Sequence, residues 1–145
     1  MLSATADTNI YISAFNFGGQ PLRFLNMARA GVFRVDISEP IIEEVLRVLR
    51  DKFEWNADRL QEVEALVAGF TQRVMPTQTL NIIKEDPPDN RVLECAAEAL
   101  SDFIVTGDRD LLRLGQFGSI PIVKVADFLN ILGLPDSPLH RRPHP

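Results

Sequence analysis

The apolar positions of the chain change period repeatedly, and each change marks an element. Leu2 to Ala6 is a short apolar run and predicts a buried strand. Asn9 to Phe17 is amphipathic and ends at Gly18-Gly19-Gln20-Pro21, a stretch that breaks a helix. Leu22 to Ala30 carries Leu22, Leu25, Met27 and Ala28 at broadly helical spacing and stops at Gly31. Val32 to Ile37 alternates apolar and polar, as a half-buried strand does. Ser38 is a good helix N-cap, and behind it Ile41, Ile42, Val45, Leu46, Val48 and Leu49 form one apolar face. A further helix is predicted from Ala57 to Thr71 and a short strand from Arg73 to Thr77. Pro87 and Pro88 open another helix that reaches Leu100, proline being tolerated in a first turn. Phe103-Ile104-Val105 is the clearest buried strand. A short helix from Arg109 to Leu114, a strand from Ile120 to Val123 and a helix from Val125 to Leu132, stopped by Gly133, complete the pattern.

Strands alternating with helices predict an α/β fold: a central parallel sheet with helices on both faces, joined by right-handed crossovers. One domain spans 1–133, and the proline-rich, basic segment 134–145 is expected to be a flexible tail. Ligands of such sheets bind beyond the C-terminal ends of the strands, so functional side chains are expected there.

Acidic residues occupy those positions. Asp7 follows the first strand, Asp108 follows the Phe103–Thr106 strand, Asp89 stands at the start of the Pro87 helix, and Glu43 and Glu44 lie on the helix after Ser38. Taken singly, each has an ordinary reading as an N-cap or a first-turn acid complementing the helix dipole. Asp86 is read as a cap outright, and Asp110 leans the same way. Together they make a different case. Carboxylates gathered at one sheet edge repel one another unless a cation holds them, and carboxylate oxygens suit hard cations, Mg²⁺ or Mn²⁺. Helical periodicity sets Glu44 somewhat nearer the apolar face than Glu43 without deciding between them; Glu43 is expected to pair with Arg47, four residues on.

Composition narrows the classes. A chain of 145 residues with 46% hydrophobic residues suits one globular domain. The single cysteine, Cys95, excludes an internal disulfide and a Cys-rich metal site, and both histidines, His140 and His144, fall in the tail, against a histidine-ligated zinc. No apolar run approaches a membrane span and no signal peptide is seen, so a cytoplasmic protein without a membrane partner is expected. The net charge of −5 counts mildly against a nucleic-acid substrate. A local acidic cluster accounts for that deficit, and bound divalent cations reverse its sign.

At these residues the sequence resembles the PIN domain family, in particular the VapC-like ribonucleases that form the toxin component of bacterial toxin–antitoxin systems. The resemblance rests on Ala6-Asp7-Thr8-Asn9, Ser38-Glu39-Pro40-Ile41-Ile42-Glu43-Glu44-Val45, Asp86-Pro87-Pro88-Asp89-Asn90 and Val105-Thr106-Gly107-Asp108-Arg109-Asp110-Leu111-Leu112. Ile122 to Leu129 also fits, and order and spacing agree from residue 2 to residue 132. No one motif is specific; the four in order are. The resemblance implies a three-layer α/β/α sandwich and carries over Asp7, Glu44, Asp89 and Asp108 as the catalytic, metal-binding acids. Asp110 matches an auxiliary ligand, and Asn9 and Thr106 match supporting polar positions. It selects Glu44 over Glu43. It also implies a homodimer, which an apolar patch on the Ala57–Thr71 helix would suit, and a cognate antitoxin protein.

The reaction so implied is hydrolysis of phosphodiester bonds in single-stranded RNA with Mg²⁺ or Mn²⁺. Arg109, with Arg23 and Arg47 behind it, is the candidate for holding the RNA backbone. Phe15 and Phe17 are read as core residues before base-stacking ones. Three other readings compete. A haloacid-dehalogenase-like phosphatase needs a second Asp two residues after the first, where this chain has Asn9. A response-regulator receiver needs an acid pair at the first strand and a phosphoacceptor at a strand end, whereas Asp36 precedes the end of its strand. A PIN-like module that binds protein or RNA and cleaves nothing would not require intact acids.

Overall fold

The computed structural model describes residues 1–84 and 86–133; the segment 134–145, expected to be a tail, and with it His140 and His144, lies outside the described residues. In chain order the elements are β1 (Ser3–Ala6), α1 (Thr8–Phe17), α2 (Gly19–Arg29), β2 (Arg34–Ser38), α3 (Glu39–Asp51), α4 (Ala57–Phe70), β3 (Thr71–Val74), α5 (Pro87–Ala99), β4 (Phe103–Val105), α6 (Arg109–Leu114), β5 (Gln116–Phe117), β6 (Ile120–Val123) and α7 (Val125–Ile131). The strands form one six-stranded sheet in the order β3-β2-β1-β4-β6-β5. β1 pairs in parallel with β2 and β4, β2 with β3, and β4 with β6. The fold is the α/β/α sandwich with a mostly parallel sheet that the alternation predicts.

Its two faces differ in chemistry, and the register explains why. Ala4 lies beside Val35 and Phe103, and Ala6 beside Val105. The small alanines leave room for an aromatic group: Phe128 of α7 packs on Phe24 of α2, on Phe33 and on Phe103, with ring centroids 5.6, 4.8 and 5.5 Å apart. The opposite face carries Ser3, Thr5, Asp36 and Ser38 under α5, all buried. Ser3 is held by Asp102, and Thr5 and Asp36 by a shared network, while the Ser38 hydroxyl has no partner. The Ser101 hydroxyl donates to Asp36 Oδ2 at 2.7 Å and shares a 2.8 Å hydrogen bond with Thr5, and Arg34 Nε donates to Asp36 Oδ1 at 2.8 Å. Cys95 is buried on this side, and burial pushes its thiol up to about 12.

Four local expectations are corrected. The helix break is Gly18 alone (φ 77°), whose N–H closes α1 onto Ser13 and Ala14, and α2 starts at Gly19. Pro21 thus sits in a first turn, where its missing N–H costs nothing. β3 is Thr71–Val74, not Arg73–Thr77: α4 passes into the strand without a loop, with the Thr71 hydroxyl donating to the Val67 carbonyl at 2.7 Å. β5 was not expected. It is a two-residue antiparallel edge joined to β6 through Gly118-Ser119, with Gly118 at the positive φ (59°) that a tight hairpin needs. Phe17 is not a core residue: it is 76% exposed, and its ring meets Phe53 edge-on.

The packing gives a stability contrast. Phe128→Ala should cost about 3–5 kcal/mol in urea unfolding, because its ring is buried among three others. Ile131→Ala, a few residues on and 48% exposed, should change stability by no more than about 0.5–1 kcal/mol. Equal losses at the two positions would contradict this packing.

Candidate active site

After β1 the chain goes outward to β2 and β3, then crosses back to β4 on the other side of β1. The connections therefore diverge between β1 and β4, and the crevice at their C-terminal ends is the topological switch point where open α/β sheets bind ligands. The ladder runs on past the strands there: Asp7 N–H donates to Val105 O at 3.1 Å, and Thr106 N–H to Val123 O at 2.9 Å.

Asp7 and Asp108 do at this edge what isolated aspartates are expected to do, and more. Asp7 caps α1, its Oδ1 accepting from Ile10 N–H at 3.1 Å, while its Oδ2 accepts from the Thr106 hydroxyl. Asp108 caps α6, its Oδ1 accepting from Asp110 N–H at 2.8 Å and from Leu111 N–H at 3.2 Å. Each cap fixes the side chain's orientation. For Asp108 it leaves the second oxygen free to face α5.

What Asp108 faces is two further carboxylates. One oxygen from each of Asp86, Asp89 and Asp108 lies within 4.8 Å of the other two, the one such group of potential metal ligands among the described residues. Asp86 corrects the sequence reading, which made it a cap. It holds the N-cap position of α5 but makes no side-chain cap bond. The reason is chemical: an N-cap carboxylate bonds the N–H of the second or third helical residue. The second is Pro88, which has none, and Asp89 N–H is taken by the Asp86 carbonyl at 3.0 Å. The Asp-Pro-Pro sequence held that signal.

The loop carrying Asp86 is tied down by α5, and the sequence reading missed the residues that do it. Asn90, buried, accepts from the N–H groups of Ile82 and Ile83, each at 2.9 Å, and donates to Ile83 O at 2.7 Å. Glu94, also buried, accepts from Leu80 N–H at 2.6 Å. Asn90 and Glu94 are four residues apart on one helix face. An Asn directly after Asp89 was the available signal; its burial and the loop it serves were not visible from sequence.

Burial and like charge act on the acids together. Asp89 is 7% exposed, and its Oδ2 is buried with no hydrogen-bond partner. Burial, followed by the Asp108 carboxylate and then Asp86 and Asp7, pushes its carboxyl up to about 8. Burial likewise raises Asp7 to about 6 against the opposing bonds from Thr106 and the Ile10 and Asn9 N–H groups. Burial, then Asp108, Asp110 and Glu44, raises Asp86. A partnerless buried oxygen among converging carboxylates suits a hard divalent cation; the donor set fits Mg²⁺ or Mn²⁺.

The other sequence candidates spread around this centre. Glu43 is exposed and Glu44 half-buried, in a cleft with Thr8, Pro87 and Arg91. The expected Glu43–Arg47 pair does not form; Arg47 instead holds both oxygens of Glu44, at 2.6 and 3.1 Å. That leaves Arg47 committed to an acid, not free for a phosphate. Arg23 is half-buried on α2. Asn9, Thr106, Arg109 and Asp110 line a groove of about 800 Å³ that opens from Asp108.

The acids predict a pH signature. The folded-state carboxyls of Asp7 and Asp89 titrate above their ordinary 3.8, so the folded chain binds more protons than the unfolded one, and their contribution to stability falls as pH rises through about 6 and 8. Asp89→Asn removes the larger share. In chelator, the thermal midpoint of Asp89→Asn minus that of wild type should grow from about pH 5 to about pH 9 and then level; a pH-independent difference would contradict the crowding.

Comparison with known proteins bears on the family and the fold. A family model described as the PIN domain matches residues 4–110. No curated protein matches the chain. Among solved structures, the fold is similar to a chain in the crystal structure of VapBC2 from Rickettsia felis bound to a DNA fragment from their promoter, with a TM-score of 0.62, 13% identity, and coverage of 85% of this chain and 98% of that one.

Proposed function

The chain belongs to the PIN domain family, and we propose that it is a metal-dependent endoribonuclease that hydrolyses phosphodiester bonds in single-stranded RNA, the toxin of a toxin–antitoxin pair. The observation that carries this reading is the convergence of Asp86, Asp89 and Asp108 at the switch point, with a buried Asp89 oxygen that lacks a partner.

In this reading Asp86, Asp89 and Asp108 hold Mg²⁺ or Mn²⁺, Asp7 completes the set from β1, and Glu44 and Asp110 stand at its margins. When bound, the cation supplies a Lewis acid that polarises the phosphoryl oxygens and makes water a better nucleophile near neutral pH. Thr106, donating to Asp7 Oδ2 and accepting from Asp108 N–H at 2.9 Å, keeps these two acids in fixed relation. Water adds to phosphorus as the bond to the leaving oxygen breaks; a carboxylate of the cluster takes the proton that water gives up, and the leaving oxygen takes one from solvent. Asn9 and Arg109 line the adjoining groove and contact the substrate.

The similarity to a chain of a VapBC2 complex supports a cognate antitoxin as partner. A homodimer is supported by α4: of its side chains only Val63 and Val67 are buried, and Leu66 is among the exposed apolar residues. Among the described residues no helix is long and apolar enough to cross a membrane.

With Mn²⁺ the wild type should cleave single-stranded RNA. Asp7→Asn and Asp108→Asn should each lower the rate by about a hundredfold or more, and a chelator should abolish cleavage. Equal cleavage by wild type and Asp7→Asn would sink the reading. Tight partner binding with no cleavage would point instead to a binding module.

A further inference from the structure

The acidic centre has two flanks, and they are unequal. On one side, between α3 and the start of α5, lies a cleft of about 170 Å³. Arg91, which lines it, is committed to Glu94 Oε2 at 2.7 Å and to Leu80 O at 3.0 Å. Arg47 beside it is committed to Glu44. On the other side, between the start of α1–α2 and α6–α7, lies the groove of about 800 Å³. Its cations are exposed. Arg109 and Lys124 make no ion pair among the described residues, and Arg113 only reaches Asp110 at 3.5 Å, the limit of a hydrogen bond. The facing wall carries Asn9, Ser13 and Gln20, neutral groups that donate and accept hydrogen bonds.

We propose that the RNA strand is gripped on one side of the scissile phosphate only, in the groove between α1–α2 and α6–α7, with Arg113 and Lys124 as its backbone-binding residues. The inference rests on the nuclease reading above and adds a polarity to it. A polyanion drawn to an acidic site needs uncommitted positive charge beside it. This chain supplies that charge on the α6–α7 flank, while the arginines on the α3–α5 flank already neutralise its own acids. Hydroxyl and amide groups opposite suit sugar and base edges without demanding one sequence. Arg113 and Lys124 are positioning residues: they sit outside the carboxylate cluster, so they govern binding and not the chemical step.

The test combines binding with kinetics. Binding is measured by fluorescence anisotropy of a labelled single-stranded RNA on the Asp7→Asn protein, with and without Arg113→Ala and Lys124→Ala together. The pair should weaken binding about tenfold and reduce the slope of log K against log salt by about 1.4, roughly 0.7 for each lost phosphate contact. Arg113→Lys with Lys124→Arg should restore both, and Arg50→Ala, which removes one positive charge outside the groove, should change neither. In the active protein the pair should raise KM with kcat nearly unchanged. Once the cleavage position is mapped, shortening the RNA on one side of it should raise KM stepwise, and shortening on the other side should not. Unchanged binding and salt slope in the double variant, or equal sensitivity to trimming on both sides, overturns the proposal. If wild type cleaves no RNA, the nuclease reading fails; the groove is then judged on binding alone, and RNA binding indifferent to Arg113 and Lys124 overturns it.

Discussion

Carboxylates withdrawn from water at one sheet edge repel one another, and a chain that gathers several there must hold them by other means until a cation arrives. In this fold much of the holding is done by the backbone. Asp7 and Asp108 each give an oxygen to the exposed N–H groups of a helix start, a bond that keeps its value whether or not a metal is present. Asp86 is carried by a loop whose amides are taken up by Asn90 and Glu94. Asp89 has no such tie on its buried Oδ2. It is accordingly the most perturbed of the cluster, and the acid whose environment improves most when positive charge enters.

The topology makes the crowding unavoidable. Parallel pairing of β1 with β4 puts the residues that follow them at the same edge, and the crossing from β3 back to β4 brings the start of α5 over that edge. The buried polar face beneath α5 is a second consequence. Thr5, Asp36 and Arg34 of the sheet bond with one another and with Ser101, just ahead of β4, which keeps a buried acid satisfied without adding a free carboxylate to the site. Buried acids among the described residues thus fall into two kinds: Asp7, Asp36 and Glu94, matched by partners within this chain, and Asp89, whose Oδ2 has none.

Most of the architecture was legible because period and punctuation agree along the chain. The apolar runs at Leu2–Ala6 and Phe103–Val105 and the long face of α3 leave little freedom in what those segments become. Where the reading failed, a signal was short or ambiguous. Gly18 to Pro21 contains turn residues, but proline also suits a first helical turn, and the structure uses it so. Gln116–Phe117 is too short to show a period, and its glycine-bounded hairpin is defined by pairing with β6. At the site, Asp7 and Asp108 followed from strand ends. Asp86 was misread because its position alone suggested a cap, although the two prolines behind it remove a donor that a cap needs. Which arginine is free could not be read at all: Arg47 and Arg109 look alike in sequence, and only the position of Glu44 separates them.

The central claim is that the cluster of Asp86, Asp89 and Asp108 is a divalent-cation site. The most direct measurement is a titration of the 145-residue chain with Mn²⁺, reading free ion by electron paramagnetic resonance alongside the thermal midpoint. A saturable loss of free-ion signal at one or two ions per chain is expected, with a rise in midpoint, both lost in Asp108→Asn and much reduced in Asp89→Asn. Mn²⁺ that stays free in the presence of folded wild type, or binding that persists unchanged in both variants, would contradict it.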